Sequence, residues 1–412
     1  MPSPQSQTVP DANSQQGDEL FPTLGILGGG QLGKMMAQAA LQMGLGARLL
    51  SPKDAGPMRG FAGAQVGDWR DPGVLQNFAD GCDAVTVESE WAPAAEARDA
   101  LPQQVDVWPS PHTLRLISHK GRQKAHLREA GLPVPDFRNC ETLSGALDAA
   151  DALGYPVVAK QYEGSYDGYG NATCSGAGDL RAAWDDLAAE SDTGGPDGLM
   201  IEQFADFERE LAVLVARTPG GKSAAYPVVH TEQRDHRCHA VLAPAPDLDD
   251  DTQRQEAQRV AAEAAAAVEG VGITAVELFE MKSSAEGGET PDGKLLVNEL
   301  APRPHNTGHY TIEACPASQF ENHVRAVLGL PLGDPSLRVP RAVMVNVLGE
   351  RKGTPPRFGG VREALGVEGA RVHVYGKPAV RKNRKLGHVT ATGADLAGTR
   401  QRAEQAAEKI AL

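Results

Sequence analysis

Two acidic residues stand inside apolar segments, where a charge is unexpected. Glu277 lies in Thr274-Ala-Val-Glu-Leu-Phe279, and Glu299 lies in Leu295-Leu-Val-Asn-Glu-Leu300. A buried carboxylate is costly, and two carboxylates on neighbouring strands repel each other unless a cation lies between them. Mg²⁺ favours one or two carboxylates, with phosphate oxygens and waters completing its octahedron. We therefore expect Glu277 and Glu299 to be metal ligands, with Mg²⁺ as the metal.

The segment after the second acid is rich in residues that bind anions. Ala301-Pro-Arg-Pro-His-Asn-Thr-Gly-His309 combines an arginine, two histidines and an asparagine in a loop stiffened by proline and glycine. Its arginine, Arg303, could clamp a phosphate or stabilise a developing anionic intermediate. A structural loop with charged solvent contacts is the alternative, and the position directly after the metal acids argues against it.

A lysine followed by a glycine-rich loop forms a second candidate phosphate site. Lys160 ends an apolar segment, and Gly164-Ser-Tyr-Asp-Gly-Tyr-Gly170 follows. Closely spaced glycines make such a loop mobile and let backbone N–H groups meet phosphates, so the pair predicts a lid over a triphosphate. Further on, the carboxylates of Glu202 and Glu210 suit recognition of ribose hydroxyls beside an adenine. A solvent-facing Glu210 remains the alternative.

The first glycine loop, Gly28-Gly-Gly-Gln-Leu-Gly33, has the spacing of a dinucleotide-binding turn. That fingerprint also requires an acid about 20 residues further on, where this chain has Ser51. The loop also nearly fits a nucleotide-hydrolase phosphate loop, but Met35 stands where Ser or Thr must ligate magnesium. A tight turn for close helix packing is the structural alternative. A nicotinamide-dependent oxidoreductase is accordingly a disfavoured alternative function.

Alternating strand and helix signals indicate the elements that hold these residues. Strands at 24–27, 47–50 and 83–87, with a helix over 32–45, predict a parallel, helix-covered sheet up to about residue 112. Beyond it, we expect the following elements: helices at 119–130, 143–153, 252–269 and 395–410, strands at 155–160, 199–203 and 210–216, and antiparallel strands at 276–281 and 294–300 joined by an exposed loop at 283–293.

Composition limits the classes of function. The net charge of −14 argues against broad nucleic-acid binding, and 41% hydrophobic residues allow sizeable cores. Five scattered cysteines without C-x-x-C spacing argue against a disulfide framework or a zinc site. Residues 1–21 are expected to be a disordered tail rather than a signal peptide. With no apolar run of about 18 residues, we expect a cytoplasmic protein without a membrane partner.

These segments resemble the ATP-grasp superfamily and, within it, the 5-(carboxyamino)imidazole ribonucleotide synthases. The resemblance runs from about residue 24 to about 390. It rests on the glycine loop with its flanks, the lid loop, the metal acids and the arginine/histidine segment. It extends to the following runs: Phe207-Glu-Arg-Glu-Leu211, Ser318-Gln-Phe-Glu321 and Arg384-Lys-Leu-Gly-His388.

The resemblance implies roles for individual residues. Lys160, Arg303 and His305 are the expected catalytic residues. The expected ATP-binding residues are Lys120, Lys160, Ser165, Tyr166, Asp167, Gly168, Gly170, Asn171, Glu202, Gln203, Phe204, Ala205, Glu210, Gln233, Asn298 and Glu299. The expected ribonucleotide-binding residues are Gln31, Leu32, Glu88, Tyr166, Asp167, Arg303, His305, Asn306, Lys377 and Arg384, the last two for the 5′-phosphate.

The resemblance also implies a fold and a reaction. The expected α/β fold has a doubly wound N-terminal domain over 22–115, an ATP-grasp lid domain over 116–200, and a larger mixed domain over 201–412. ATP and bicarbonate would give carboxyphosphate, whose carboxyl unit passes to the amine of aminoimidazole ribonucleotide in purine biosynthesis. A homodimer is expected. Another ATP-grasp carboxylase with a different acceptor is the alternative within the class.

Overall fold

The computed structural model of the chain describes most of the sequence. Outside the described residues lie nearly all of the predicted tail, the lid residues Ser165, Tyr166, Asp167 and Gly168, and the predicted loop 283–293. The described ranges are 21–53, 56–164, 169–188, 198–234, 237–246, 248, 251–282, 294–355 and 359–411.

The first region is a five-stranded parallel sheet in the order β3-β2-β1-β4-β5. Its strands are β1 Thr23–Leu27, β2 Gly46–Ser51, β3 Ala64–Val66, β4 Ala84–Val87 and β5 Asp106–Trp108. Its helices are α1 Gln31–Gln42, α2 Pro72–Ala79, α3 Ala94–Ala100 and α4 Pro111–Ile117. The predicted doubly wound sheet is confirmed. Because β2 and β4 lie on opposite sides of β1, the strand order reverses there, and a crevice is expected at the carboxyl ends of β1 and β4.

The second region is a four-stranded antiparallel sheet in the order β6-β9-β7-β8. It contains α5 Lys120–Glu129, β6 Phe137–Cys140, α6 Leu143–Leu153, β7 Val157–Gln161, β8 Asn171–Cys174, α7 Ala177–Leu187 and β9 Leu199–Gln203. Residues 164–170, predicted to form the lid, connect β7 and β8 in the sequence, and Lys160 lies on the strand that precedes them.

The third region is a nine-stranded sheet in the order β15-β14-β10-β12-β13-β16-β18-β17, with β11 beside β10. Its strands are β10 Phe207–Arg217, β11 Ser223–Ala225, β12 Val229–Arg234, β13 Arg237–Ala243, β14 Gly272–Met281, β15 Leu295–Ala301, β16 Arg341–Leu348, β17 Ala370–Val374 and β18 Lys385–Gly393. Its helices are α8 Asp251–Ala267, α9 Thr311–Ala314, α10 Gln319–Val327, α11 Val361–Leu365 and α12 Leu396–Glu408.

The last segment of the chain is part of this third sheet. Strand β16 pairs with β13, and β18 pairs with β16, so the sheet continues without a break into the C-terminal strands. The exact residue boundaries of the three expected domains stay a prediction. In the described residues, no helix has the length and apolar character needed to cross a membrane.

Strand alternation divides the third sheet into a core face and a site face. Leu211 and Val213 of β10 and Val276 of β14 are buried against Ala261 of α8. Because successive side chains of a strand point to opposite faces, Glu277 is directed away from this core. The alanine-rich helix therefore anchors the strands that carry the acids, while the acids remain on the other face.

Candidate active site

The two acids of the predicted metal site face each other across paired strands. Glu277 of β14 and Glu299 of β15 are direct partners in the antiparallel register, and both line one cavity. Burial and the negative charge of Glu299 raise the pKa of Glu277 above its ordinary value. A cation between the two carboxylates would relieve this repulsion. The pair therefore has the electrostatics expected of a cation site.

Lys120 supplies positive charge beside this pair, because its ammonium contacts the Glu299 carboxylate. Burial opposes the ionisation of Glu299, but the nearby Lys120 outweighs it and holds the pKa of Glu299 below its usual range. In the described part of the chain, no group of three or more His, Cys, Asp or Glu is placed to hold a metal ion. Two carboxylates still fit Mg²⁺, since it takes further ligands from phosphates and waters.

Glu202 lies between two lysines. It is 2% exposed, its Oε2 lies 2.9 Å from the Lys124 Nζ, and its Oε1 accepts a hydrogen bond from Lys160. Burial opposes the ionisation of Glu202, but the two ammonium groups lower its pKa to about 2. Because lysines lie beside both of its oxygens, Glu202 is less suited than Glu210 to a ribose hydroxyl, and this assignment stays a prediction. Glu202 neutralises the cations beneath the cavity.

The sequence motifs did not single out Lys124. It lies one helical turn after Lys120 in α5, so both lysines are on the same face of the helix. This spacing could have identified Lys124 as a second lysine of the site. Its Nζ also donates to the carbonyl oxygens of Val297 (3.1 Å) and Asn298 (2.6 Å). Burial lowers the pKa of Lys124 to about 8, even though Glu202 acts to raise it. Lys124 thus ties α5 to β15 and fixes the position of Lys120.

A cavity of ≈ 740 Å³ lies between the second and third sheets. Phe204 on its wall is 41% exposed and presents an apolar surface for a flat ring. The Glu210 carboxylate faces the same space and accepts a hydrogen bond from Gln233 Nε2 at 2.7 Å. The predicted ATP-binding residues on its walls are Lys160, Asn171, Glu202, Gln203, Phe204, Ala205, Glu210, Gln233, Asn298 and Glu299. The backbone of Gly170 lies beside Lys160, where its carbonyl accepts from Gln161 N at 2.8 Å.

A second cavity of ≈ 400 Å³ opens towards the crevice of the first sheet. The predicted substrate residues on its walls are Gln31, Leu32, Glu88, Arg303, His305 and Asn306, and Lys120 lies there as well. The two cavities share the residues Glu299, His305, Asn306 and Lys385. The two cavities therefore adjoin at these four residues.

Hydrogen bonds fix the arginine/histidine segment at this junction. Arg303 donates to both carboxylate oxygens of Glu90, at 2.6 and 3.1 Å. His305 Nε2 lies 3.8 Å from Glu277 Oε1. Asn306 exchanges side-chain hydrogen bonds with Asn346 at 2.9 and 2.7 Å. Glu90 and Asn346 were not predicted, because their contacts join residues that are far apart in the sequence.

The first glycine loop receives a carboxylate of the protein itself. Glu88 accepts hydrogen bonds from the backbone N–H of Gly30 (2.8 Å) and of Gly33 (2.7 Å) at the start of α1. A Cβ atom built on Gly28 would lie 2.1 Å from Glu88 Cγ. The glycines therefore make room for Glu88, which occupies the anion site at this helix N-terminus. This arrangement explains why the dinucleotide spacing occurs without the ribose-binding acid.

The substitution Gly30→Ala should destabilise the protein by about 1–3 kcal/mol, because the added methyl group overpacks the site. Its Cβ would lie 2.3 Å from Glu88 Oε1, so the carboxylate must move. Chemical denaturation measures the effect. Gly178→Ala in α7 is the matched control, since among the described residues no atom beyond its chain neighbours and its own helix backbone lies within 4 Å of its Cβ. Equal stability of both variants would contradict the assigned packing role.

The 5′-phosphate roles of Lys377 and Arg384, in the basic segment near the C-terminus, stay predictions. Lys377 and Arg384 are not among the lining residues of either cavity, whereas Lys385 lines both. Arg384 donates to the carbonyl oxygen of Ala379 at 3.0 Å. Burial raises the pKa of Glu88, and the positive charge of the nearby Lys377 partly offsets this increase. Lys385, the first residue of β18, lines both cavities and adds a positive charge where they meet.

Comparison with known proteins matches three segments of the chain. Residues 21–118 match the ribonucleotide synthetase preATP-grasp domain, residues 125–320 the ATP-grasp domain, and residues 342–402 the phosphoribosylaminoimidazole carboxylase C-terminal domain. The N5-carboxyaminoimidazole ribonucleotide synthase of Mycobacterium tuberculosis is 40% identical over 94% of this chain and 87% of its own length. The chloroplastic phosphoribosylaminoimidazole carboxylase of Vigna aconitifolia is 39% identical over 90% of this chain, which spans only 64% of that relative.

Solved structures of N5-carboxyaminoimidazole ribonucleotide synthases also resemble this chain. The N5-carboxyaminoimidazole synthase of Aspergillus clavatus, solved with ADP and 5-aminoimidazole ribonucleotide, aligns with a TM-score of 0.81 at 31% identity. That alignment covers 95% of this chain and 99% of the Aspergillus chain. The corresponding synthetase of Thermotoga maritima aligns with a TM-score of 0.79 at 36% identity, with the same coverage.

The fold and the site together define an ATP-grasp protein, with a preATP-grasp domain before the central region and a carboxylase-type C-terminal domain after it. The relatives narrow this class further. The chain belongs to the family of N5-carboxyaminoimidazole ribonucleotide synthases.

Proposed function

We propose that this protein uses ATP and bicarbonate to carboxylate the amine of 5-aminoimidazole ribonucleotide, giving 5-(carboxyamino)imidazole ribonucleotide for purine biosynthesis. The observation that carries the proposal is the junction of the two cavities at Glu299, His305, Asn306 and Lys385. The larger cavity suits ATP, with Phe204 beside the base and Lys160 beside the phosphates. The smaller cavity suits the ribonucleotide. The proposal is supported by the Aspergillus relative, which was solved with ADP and this ribonucleotide.

The reaction begins when a bicarbonate oxygen attacks the γ-phosphorus of ATP. The bond to the β-phosphate oxygen breaks, ADP leaves, and carboxyphosphate forms. This step needs in-line placement and neutralisation of charge more than a strong base. Lys120 and Lys160 supply fixed positive charge, and Glu202 holds Lys160 in place. Mg²⁺, when bound by Glu277 and Glu299, would neutralise phosphate charge.

The second step takes place at the junction. Carboxyphosphate releases CO₂ and phosphate, and the amine nitrogen of the ribonucleotide attacks the carbon. The proton leaves the nitrogen as the carbamate forms, and phosphate can accept it. Arg303, fixed by Glu90, and Lys385 present cations to the anionic groups. Exclusion of water from the junction would protect carboxyphosphate. A homodimer and a cytoplasmic location stay predictions.

Steady-state ADP release tests this proposal. With ATP, Mg²⁺ and bicarbonate present, we expect ADP release to rise at least tenfold when aminoimidazole ribonucleotide is added. Omission of bicarbonate should return the rate to the basal value. If a folded protein shows no stimulation by the ribonucleotide, the acceptor is wrong, and another ATP-grasp carboxylase reaction becomes the better interpretation.

A further inference from the structure

His309 lies on the wall of the smaller cavity but has no role in the function proposed above. The residue is only 1% exposed, and it follows the segment that carries Arg303 and His305. Its ring packs against Phe320 at 5.6 Å, against His388 at 4.7 Å and edge-on to Tyr375 at 6.2 Å between centroids. These contacts leave the ring little freedom to rotate.

The neighbouring Gln319 determines which ring nitrogen of His309 carries the proton. Gln319 is fully buried, and its Oε1 accepts from the His305 backbone N–H at 2.8 Å. Its Nε2 donates to the His305 carbonyl oxygen, also at 2.8 Å. The backbone therefore fixes the orientation of the amide, with its NH₂ group on the side of His309. His309 Nδ1 lies 3.0 Å from this NH₂ group and must act as the acceptor.

A neutral imidazole with an accepting Nδ1 carries its proton on Nε2. Burial, assisted by the nearby His305 and Lys385, lowers the pKa of His309 well below its ordinary value, so the ring stays neutral. His309 Nε2 makes no hydrogen bond to any residue that the structure describes. It is also not one of the unpaired side-chain atoms that are fully shielded from solvent, so a ligand atom can reach it. An unpaired buried donor costs about 1–3 kcal/mol, which a ligand acceptor would recover.

We infer that His309 is a ribonucleotide-binding residue, whose neutral Nε2–H donates a hydrogen bond to an acceptor atom of the substrate. Gln319 is its positioning residue, because the same amide holds the His305 peptide and sets the tautomer of His309. This inference rests on the proposed function, since it assigns the smaller cavity to the ribonucleotide.

Two amide substitutions separate a binding role from a packing role. His309→Asn can place an amide near Nδ1 and keep the contact with Gln319, but it has no group at the position of Nε2. His309→Gln can reach the position of Nε2 and keep a donor there. Titration calorimetry with aminoimidazole ribonucleotide should show roughly tenfold weaker binding by His309→Asn. His309→Gln should bind within about threefold of wild type, and ATP binding should be unchanged in both variants.

Nuclear magnetic resonance of the free protein, labelled with ¹⁵N-histidine, tests the tautomer without substrate. The resonances missing from His309→Asn identify the residue, and we expect its proton on Nε2. A proton on Nδ1, or equal ribonucleotide affinity of wild type and His309→Asn, would overturn the inference. A wild-type protein that binds ATP but no ribonucleotide would instead contradict the proposed function, and the two failures are therefore distinguishable.

Discussion

Replacement of Glu277 by Gln should lower the rate of ribonucleotide-dependent ADP release by a factor on the order of 10³ while making the ligand-free protein more stable. The loss of activity follows from removal of one of two carboxylates that suit Mg²⁺. The gain in stability follows from the raised pKa of Glu277, because burial and the charge of Glu299 make its ionised form costly in the folded state.

The sign of the stability change follows from this raised pKa. When the folded-state pKa of a carboxyl group lies above its unfolded value, the folded protein holds the proton more tightly than the unfolded chain does. The free energy of unfolding therefore falls as the pH rises from the unfolded pKa towards the folded pKa. The side-chain amide in the variant Glu277→Gln carries no charge at any pH and avoids part of this cost. Near neutral pH we therefore expect the free energy of unfolding, measured with denaturant, to rise by about 1 kcal/mol. Glu263→Gln on the exposed face of α8 is the control for charge removal. Lower stability together with retained activity in Glu277→Gln would refute the assigned cation site.

Replacement of Glu202 by Gln should destabilise the protein by about 3–5 kcal/mol, since it leaves two buried lysines without their counter-charge. Lys124 is 2% exposed and Lys160 is 8% exposed, so water cannot replace the lost carboxylate well. Lys160 would also lose its fixed position at the phosphates. Activity should therefore fall at least a hundredfold even at temperatures where the variant remains folded.

Chemical denaturation measures the effect of Glu202→Gln, and Glu129→Gln at the exposed end of α5 is the control. The pKa of Glu202 is lowered to about 2 in the folded protein, so its contribution is present above the ordinary glutamate range. Wild type should lose that contribution as the pH falls from about 4 towards 2, whereas the variant should lack this step. A variant with wild-type stability and the same acid profile would disprove the charge-pairing role.

Local patterns were sufficient to pair Glu277 with Glu299 as a candidate cation site and to predict the first sheet. Glu277 and Glu299 could be predicted because an acid within an alternating apolar strand is rare and each strand has a clear hydrophobic face. The glycine loop was interpreted correctly as something other than a dinucleotide site, because Ser51 is not an acid. Its actual partner, Glu88, is 58 residues from Gly30, and local spacing does not report such a contact.

The missed features depend on contacts between distant segments. Glu202 was considered for a ribose hydroxyl because a carboxylate suits that contact, but Lys124 of α5, far from it in the sequence, engages this carboxylate. Lys385 had no predicted role, because only the register of β18 decides which of its side chains face the junction. The continuous nine-stranded sheet likewise requires the pairing of β13 with β16, about 100 residues apart.

Carbon transfer from bicarbonate tests the central claim most directly. The protein should be incubated with ¹³C-bicarbonate, ATP, Mg²⁺ and aminoimidazole ribonucleotide, and the reaction followed by ¹³C nuclear magnetic resonance. The account predicts a new carbamate resonance that requires both ATP and the ribonucleotide and is absent with Glu277→Gln. ATP hydrolysis by the wild-type protein without any carbamate resonance, under conditions in which an authentic carbamate standard survives, would contradict it.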